Sequence, residues 1–70
     1  MSEQAAKIVL LMAQHNLRAY RVAKAMPCHV NAVQYWIDKI KRETGLDPKD
    51  FYDMMKLLPM AEEVLGEREK

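Results

Sequence analysis

The chain has 70 residues, half of them apolar, and a formal net charge of +1 at pH 7. A chain of this length makes one domain that hides only about 60% of its unfolded surface, so we expect marginal stability and a benefit from dimerisation. One cysteine excludes an internal disulfide and favours a reducing compartment, and the longest apolar run, residues 8–13, is far shorter than the roughly 20 residues that cross a bilayer. We therefore expect a cytoplasmic protein without a signal region or a membrane partner.

The first predicted element is a helix near residues 2–15. Ser2 is a suitable N-cap and Asn16 a suitable stop. Its apolar stripe consists of Ala5, Ile8, Val9 and Met12, with Leu11 at the edge. We interpret this helix as a structural support. His15 lies at its end, where a positive imidazole would favour the helix dipole, and a structural role suits it better than a ligand role.

Residues 19–42 contain two short segments of helical periodicity that meet at a tight break, the outline of a helix-turn-helix. The first segment, near 18–26, has its apolar face at Ala19, Val22, Ala23 and Met26. Arg21 and Lys24 fall on the opposite face. Pro27 ends this segment because it lacks an amide donor and biases Met26 away from the helical region.

The second segment, near 30–44, has one apolar and one polar face. The apolar stripe is Val33, Trp36, Ile37 and Ile40, so we expect the Trp36 ring in the core. The polar face is Asn31, Gln34, Tyr35 and Asp38 at i, i+3, i+4 and i+7. This polar face is the expected recognition surface.

Cys28 and His29 lie between the two segments, but they do not predict a metal site. Zinc needs three or four converging ligands, and the only other histidine is His15. We expect Cys28 to be a small buried hydrophobe at the turn and His29 to cap or flank the second helix.

The C-terminal third predicts one helix near 48–58 and a short fifth helix near 60–66. Gly45 is the expected left-handed C-cap of the preceding helix, and Asp47-Pro48 opens the next one. Its apolar stripe is Phe51, Met54, Met55 and Leu58. Pro59 breaks this pattern, Gly66 stops the fifth helix, and 67–70 is a charged, frayed tail. The cluster Met54, Met55 and Met60 suits either core packing or a dimer surface.

Charge is distributed unevenly along the chain. Residues 1–45 hold seven basic and three acidic residues, a net charge of +4, whereas 46–70 hold four basic and seven acidic ones, a net charge of −3. Phosphate binding depends on Lys and Arg, so the basic half favours a nucleic-acid partner. A solvated surface of mixed charge accounts for the same split, and this alternative stays open.

From Ala23 to Asp47 the sequence resembles the C-terminal helix-turn-helix domain of PucR-type regulators, which control purine catabolism and sugar-diacid use. The matching residues, in order and without a gap, are Ala23, His29, Asn31, Val33, Tyr35, Lys39-Ile40 and Thr44-Gly45-Leu46-Asp47. The resemblance implies a DNA-binding helix-turn-helix module of a small bacterial or phage-type transcriptional regulator. Its partner would be double-stranded DNA, entered through the major groove by the helix 30–44.

Under this hypothesis the chemistry of each side chain predicts its role. The candidates for reading bases are Val30, Asn31, Gln34, Tyr35 and Asp38. The candidates for binding phosphate are Arg18, Arg21, Lys24, His29, Lys39 and Arg42. The residues of the recognition face have a second interpretation as an ordinary solvated helix surface.

The sequence therefore predicts an all-α, compact domain of four to five helices over residues 1–66, with the helix-turn-helix core at 19–42. It lacks the paired carboxylates, glycine loop and activated nucleophile that an enzyme requires, and it predicts no cofactor and no small-molecule effector. The C-terminal Met-rich helices are a candidate surface for a homodimer or another partner, with core packing as the alternative for their methionines. The alternative function is a non-enzymatic adaptor that binds protein, because Val30, Tyr35 and Asp38 would also suit a protein groove.

Overall fold

The computed structural model describes the backbone of residues 1–26 and 28–69, and the side chains among these up to residue 66. This part of the chain forms four helices: α1 (Glu3–Gln14), α2 (Ala19–Ala25), α3 (Val30–Thr44) and α4 (Phe51–Glu69). No strand occurs in the described residues. The predicted all-α fold is confirmed, and the first three helices agree with their predicted bounds to within about one residue at either end.

Helix α1 begins and ends as its local sequence indicates. The Ser2 hydroxyl accepts a hydrogen bond from the Ala5 amide at 3.1 Å, which satisfies one amide of the first turn. After the helix, Asn16 and Leu17 both have positive φ angles, 57° and 61°. The Leu17 amide donates to the Met12 carbonyl at 2.8 Å, so the chain reverses tightly toward α2.

The connection from α2 to α3 differs from the prediction in one residue. The Met26 amide closes α2 by donating to Val22, and the Cys28 amide donates to the Ala23 carbonyl at 3.4 Å. Pro27, the predicted helix end, lies outside the described residues. Cys28 is exposed, so the prediction of a buried cysteine is wrong. Met26 and Val30, which flank the turn, supply its apolar contacts to the core instead.

Helix α3 has well-defined ends. His29 Nδ1 accepts from the Asn31 amide at 3.0 Å, so the predicted histidine cap is confirmed. At the other end Gly45 has φ 75° and its amide donates to the Lys41 carbonyl, which confirms the left-handed C-cap. The Thr44 hydroxyl donates to the Ile40 carbonyl at 2.7 Å and accepts from the Leu46 amide at 3.1 Å. These bonds fix the exit of the chain from α3.

Helix α4 starts three residues later than the Asp47-Pro48 signal predicts. Asp47 caps a turn, since its Oδ1 accepts from the Lys49 amide at 2.9 Å. Asp50 is the N-cap of α4, with its Oδ2 accepting from the Asp53 amide at 2.9 Å. The Asp53 carboxylate in turn accepts from the Asp47 amide at 2.9 Å. Pro48 is fully buried, so this proline packs against the core and does not open the helix.

The predicted break at Pro59 and the stop at Gly66 are both wrong, because α4 is one helix from Phe51 to Glu69. Its buried side chains are Met54, Leu57 and Ala61, a stripe that runs past the exposed Pro59. Continuous packing of this stripe on α1 offsets the roughly 3 kcal/mol that an interior proline costs a helix. The frayed tail stays a prediction, since the side chains of 67–70 lie outside the described residues.

The hydrophobic core is centred on α1, which packs against each of the other three helices and most extensively against α4. Helix α2 packs mainly on α3. The buried core residues are Ala5, Ala6, Ile8, Val9, Met12, Val22, Ala23, Val33, Ile37, Ile40, Met54, Leu57 and Ala61. The predicted stripe of α1 is therefore confirmed, whereas Phe51 and Met55 of the predicted α4 stripe are exposed.

Candidate nucleic-acid interface

The solvent side of α3 is a polar surface of the helix-turn-helix. Asn31, Tyr35, Asp38 and Arg42 are exposed, with Tyr35 54% accessible. They recur at three- or four-residue spacing opposite the buried stripe Val33, Ile37 and Ile40, and so share one face. We call these four residues the α3 face. Val30, predicted to read bases, is half-buried and packs partly against the core, which leaves less of its side chain for a ligand.

Gln34 lies at the edge of the α3 face and is held by two hydrogen bonds. Its Nε2 donates to Asp38 Oδ1 at 3.0 Å, and its Oε1 accepts from Lys49 Nζ at 2.9 Å. A bidentate pair with adenine needs both the oxygen and the nitrogen of the amide. Since both atoms already have partners, a base would have to compete with Asp38 and Lys49.

The Trp36 ring is half-buried beside the core and is not part of its fully buried centre. It contacts Tyr35 edge to face, with the ring centroids 5.6 Å apart. Lys39 Nζ lies 5.1 Å from the centroid of the Trp36 ring, close enough for a cation–π contact. Trp36 therefore contacts both the Tyr35 ring and the Lys39 ammonium.

The N-terminus of α3 has two features that suit a phosphate, the exposed His29 ring and the positive end of the helix dipole. His29 uses Nδ1 as the acceptor for the Asn31 amide, so the neutral ring carries its proton on Nε2. The His29 side chain is exposed. An Nε2–H donor is therefore available beside the positive end of the α3 dipole.

A second basic group lies on α2 and at the end of α1. Arg21 Nε donates to the Tyr20 hydroxyl at 3.3 Å, and the guanidinium lies 5.9 Å from the centroid of the Tyr20 ring. Hydrogen bonding by Arg21, and then by Arg18, lowers the pKa of Tyr20 below its ordinary value. Tyr20, Arg21 and Lys24 line a shallow surface depression together with His15. We call these residues, with Arg18, the α2 basic group.

Two residues of these surfaces, Lys49 and Tyr20, were not predicted to be functional from the sequence. Lys49 lies 15 positions after Gln34, and no helical spacing links the two. Tyr20 was detectable in principle, because it stands between Arg18 and Arg21 at the start of a helix. The structure thus adds the basic side chain of Lys49 to the edge of the α3 face and the hydroxyl of Tyr20 to the α2 basic group.

The described residues contain neither a metal site nor a membrane-spanning helix. No group of three or more His, Cys, Asp or Glu side chains lies close enough there to hold a metal ion. Among the same residues, no helix has both the length and the apolarity to span a bilayer.

Comparison with known proteins identifies one family. The family model of the PucR C-terminal helix-turn-helix domain matches residues 6–59, which include α1 from Ala6 onward, all of α2 and α3, and the first half of α4. No curated protein and no solved structure matches the chain.

Proposed function

Because the chain belongs to the family of PucR C-terminal helix-turn-helix domains, which are DNA-binding modules of transcriptional regulators, we propose that it reads DNA sequence by placing α3 in the major groove. The main observation behind this proposal is that the matched residues include all of α3, a helix whose polar face is exposed. In a helix-turn-helix the second helix contacts base edges, and α3 holds that position here. Families of this kind are generally non-enzymatic, in line with the function class that the sequence predicts.

Base recognition is assigned mainly to Asn31. Its side chain is exposed at the start of α3, and its amide can pair with the N7 and N6 groups of adenine. Asp38 can accept from cytosine N4, and Tyr35 can reach either a base edge or a phosphate. Gln34 is assigned a different role from the one the sequence predicts. Its bonds to Asp38 and Lys49 suggest that it positions these two charged groups.

Phosphate binding is assigned to Arg18, Arg21 and Lys24 of the α2 basic group and to the basic residues around α3. Arg18, Arg21 and Lys24 are exposed, as is Arg42 at the C-terminal end of the α3 face. Lys49 and His29 add donors at the edges. Contacts of this kind set affinity and orientation without reading sequence, so they should be sensitive to salt.

The proposal is tested by selection from a random DNA pool, followed by titration of the preferred site and of an unrelated duplex. Asn31→Ala should weaken binding to the preferred site by about 1–3 kcal/mol and relax preference at one base pair. Gln34→Ala should cost less specificity than Asn31→Ala. Arg21→Ala should weaken binding to both duplexes alike and lower the salt slope by about 0.9 per phosphate contact.

Exposed residues of α1 provide matched controls. Gln14→Ala removes an amide and Lys7→Ala removes a charge on a helix that the proposal keeps away from DNA. Both variants should bind like the parent. If Asn31→Ala has the same preference as the parent, the assignment of base reading to α3 fails. If the parent shows no salt-dependent DNA binding, the whole proposal fails, and the adaptor function predicted as the alternative becomes the one to test.

A regulator of this kind works where the chromosome lies, which accords with the cytoplasmic location expected from the sequence. Two copies of α3 on a dimer would reach half-sites about 34 Å apart, one turn of the DNA helix. A palindromic consensus from the selection would support this symmetry.

A further inference from the structure

An apolar groove lies where the C-terminal end of α1 meets the first turns of α4. Its volume is about 400 Å³, and Ala13, Leu17 and Leu58 are among the residues that line it. Phe51 and Met55 also line the groove, yet they leave 64% and 60% of their surfaces exposed. Among the described residues that line the groove, none is charged.

The exposed apolar area beside this groove is large for so small a protein. Tyr52 is 74% exposed, and its ring contacts the Phe51 ring edge to face with centroids 5.7 Å apart. With about 200 Å² for a side chain of this size, the accessible parts of Phe51, Tyr52 and Met55 sum to roughly 400 Å². An apolar patch of this extent is about as large as the largest one on a typical monomer, and such patches are often functional. We call the groove and these three residues the α1–α4 surface.

We propose that the α1–α4 surface is covered by the same surface of a second copy of the chain. A two-fold axis requires a self-complementary patch, in which each copy offers both a projection and a recess. Phe51 and Met55 supply the projection, and the groove between Leu17 and Leu58 supplies the recess. A groove without charged lining brings no like charges together when two identical copies meet. It offers no complement to a charged partner segment.

The area sets the strength of this dimer. Two copies would bury roughly 800 Å² from the three exposed side chains, which is below the roughly 1,200–2,000 Å² of standard specific interfaces and in the range of weak, transient ones. The dimer should therefore be reversible, with a Kd of about micromolar or weaker. The groove is lined by residues outside α2 and α3, so dimerisation leaves the α3 face exposed. The inference goes beyond DNA binding and holds whether or not α3 reads bases.

The proposed surface differs from the dimer interface that the sequence predicts. The sequence grouped Met54, Met55 and Met60 as one Met-rich patch. Met54 is only 5% exposed and belongs to the core, and Met60 does not line the groove. Of the three methionines, only Met55 both lines the groove and is well exposed.

The test is sedimentation equilibrium of the full chain, without DNA, from about 1 µM to about 1 mM, the range in which a micromolar dimer dissociates. The parent should pass from monomer to dimer. Phe51→Ala should raise the dimer Kd by at least about 30-fold, as expected for a central aromatic anchor. Met55→Lys, which places a charge in the same contact, should do the same. Circular dichroism verifies that each variant keeps its helices.

Tyr35→Ala is the matched control, because Tyr35 is a comparably exposed aromatic residue on α3 and lies outside the groove. It should dimerise like the parent. A parent that stays monomeric up to about 1 mM overturns the proposal. A parent dimer that Phe51→Ala and Met55→Lys leave unchanged also overturns it, because the interface then lies elsewhere. Since no DNA is present, failure of the DNA-binding proposal cannot produce either result.

Discussion

Two adjacent residues of α3 give a sharp test of the packing. Ile37 is 1% exposed, and replacing it with Ala should cost about 2–5 kcal/mol. A fully buried Trp costs about 3–5 kcal/mol on truncation, but Trp36 is half-buried, so we expect about 2 kcal/mol for Trp36→Ala. This figure includes about 0.5–1 kcal/mol for the contact with Lys39. The smaller side chain should therefore matter more.

Urea unfolding followed by circular dichroism measures both changes. A chain of this length has a total stability of about 4–10 kcal/mol, so Ile37→Ala should remove a large part of it. Each kcal/mol also lowers Tm by about 4–8 °C. The protein must be dilute, because dimerisation would raise the apparent stability with concentration. If Trp36→Ala destabilises as much as Ile37→Ala, the ring is part of the core and the structural argument is wrong.

Two further predictions concern single positions. Gly45→Ala should destabilise the fold by about 1–2 kcal/mol, because Gly45 has a φ of 75°, although nothing lies within 4 Å of the added carbon. Gly66→Ala, inside α4, should instead stabilise the fold by up to about 1 kcal/mol. Thermal unfolding distinguishes these opposite signs. Tyr20, whose pKa is lowered first by Arg21 and then by Arg18, should titrate at higher pH in Arg21→Ala, as followed by NMR of the ring carbons. Because the folded-state pKa is the lower one, the pair adds stability above the ordinary tyrosine pKa of about 10 and loses it as the pH falls through the Tyr20 pKa. Equal stability differences between parent and variant at neutral and alkaline pH would contradict this.

Helix ends with one dominant local signal could be predicted from the sequence. Ser2, His29 and Gly45 each act within a few residues, and each is a cap in the structure. At the start of α4 two aspartates compete. Asp47 with Pro48 makes the stronger sequence signal, but burial of Pro48 and the hydrogen bond that the Asp47 amide donates to the Asp53 carboxylate select Asp50 as the cap. That choice depends on tertiary packing.

The phase of α4 could not be predicted for the same reason. Its sequence supports two overlapping stripes, one through Phe51 and Met55 and another through Leu57 and Ala61. Only the position of α1 decides which stripe is buried, and it selects the second. The sequence predicted the helix and its apolar character, but it could not show which side chains remain exposed for a partner.

The interface divides in a similar way. The spacing of Asn31, Tyr35 and Asp38 predicted their shared face, because helical periodicity is a local property. The link between Lys49 and Gln34 joins a loop to a helix across 15 residues. No periodic pattern within one helix predicts such a contact, so the sequence could not show that the Gln34 side chain is held by Lys49.

The packing of α1 against α4 has a consequence for synthesis of the protein. These are the first and last helices, so the apolar face of α1 finds its main cover only when α4 has left the ribosome. Until then the nascent helix-turn-helix lacks the packing that α4 supplies. The apolar face of α1 stays exposed, where chaperones can bind it and where it can aggregate. Folding of this domain should therefore be a single late event, completed after translation of α4, with no stepwise addition of stable helices.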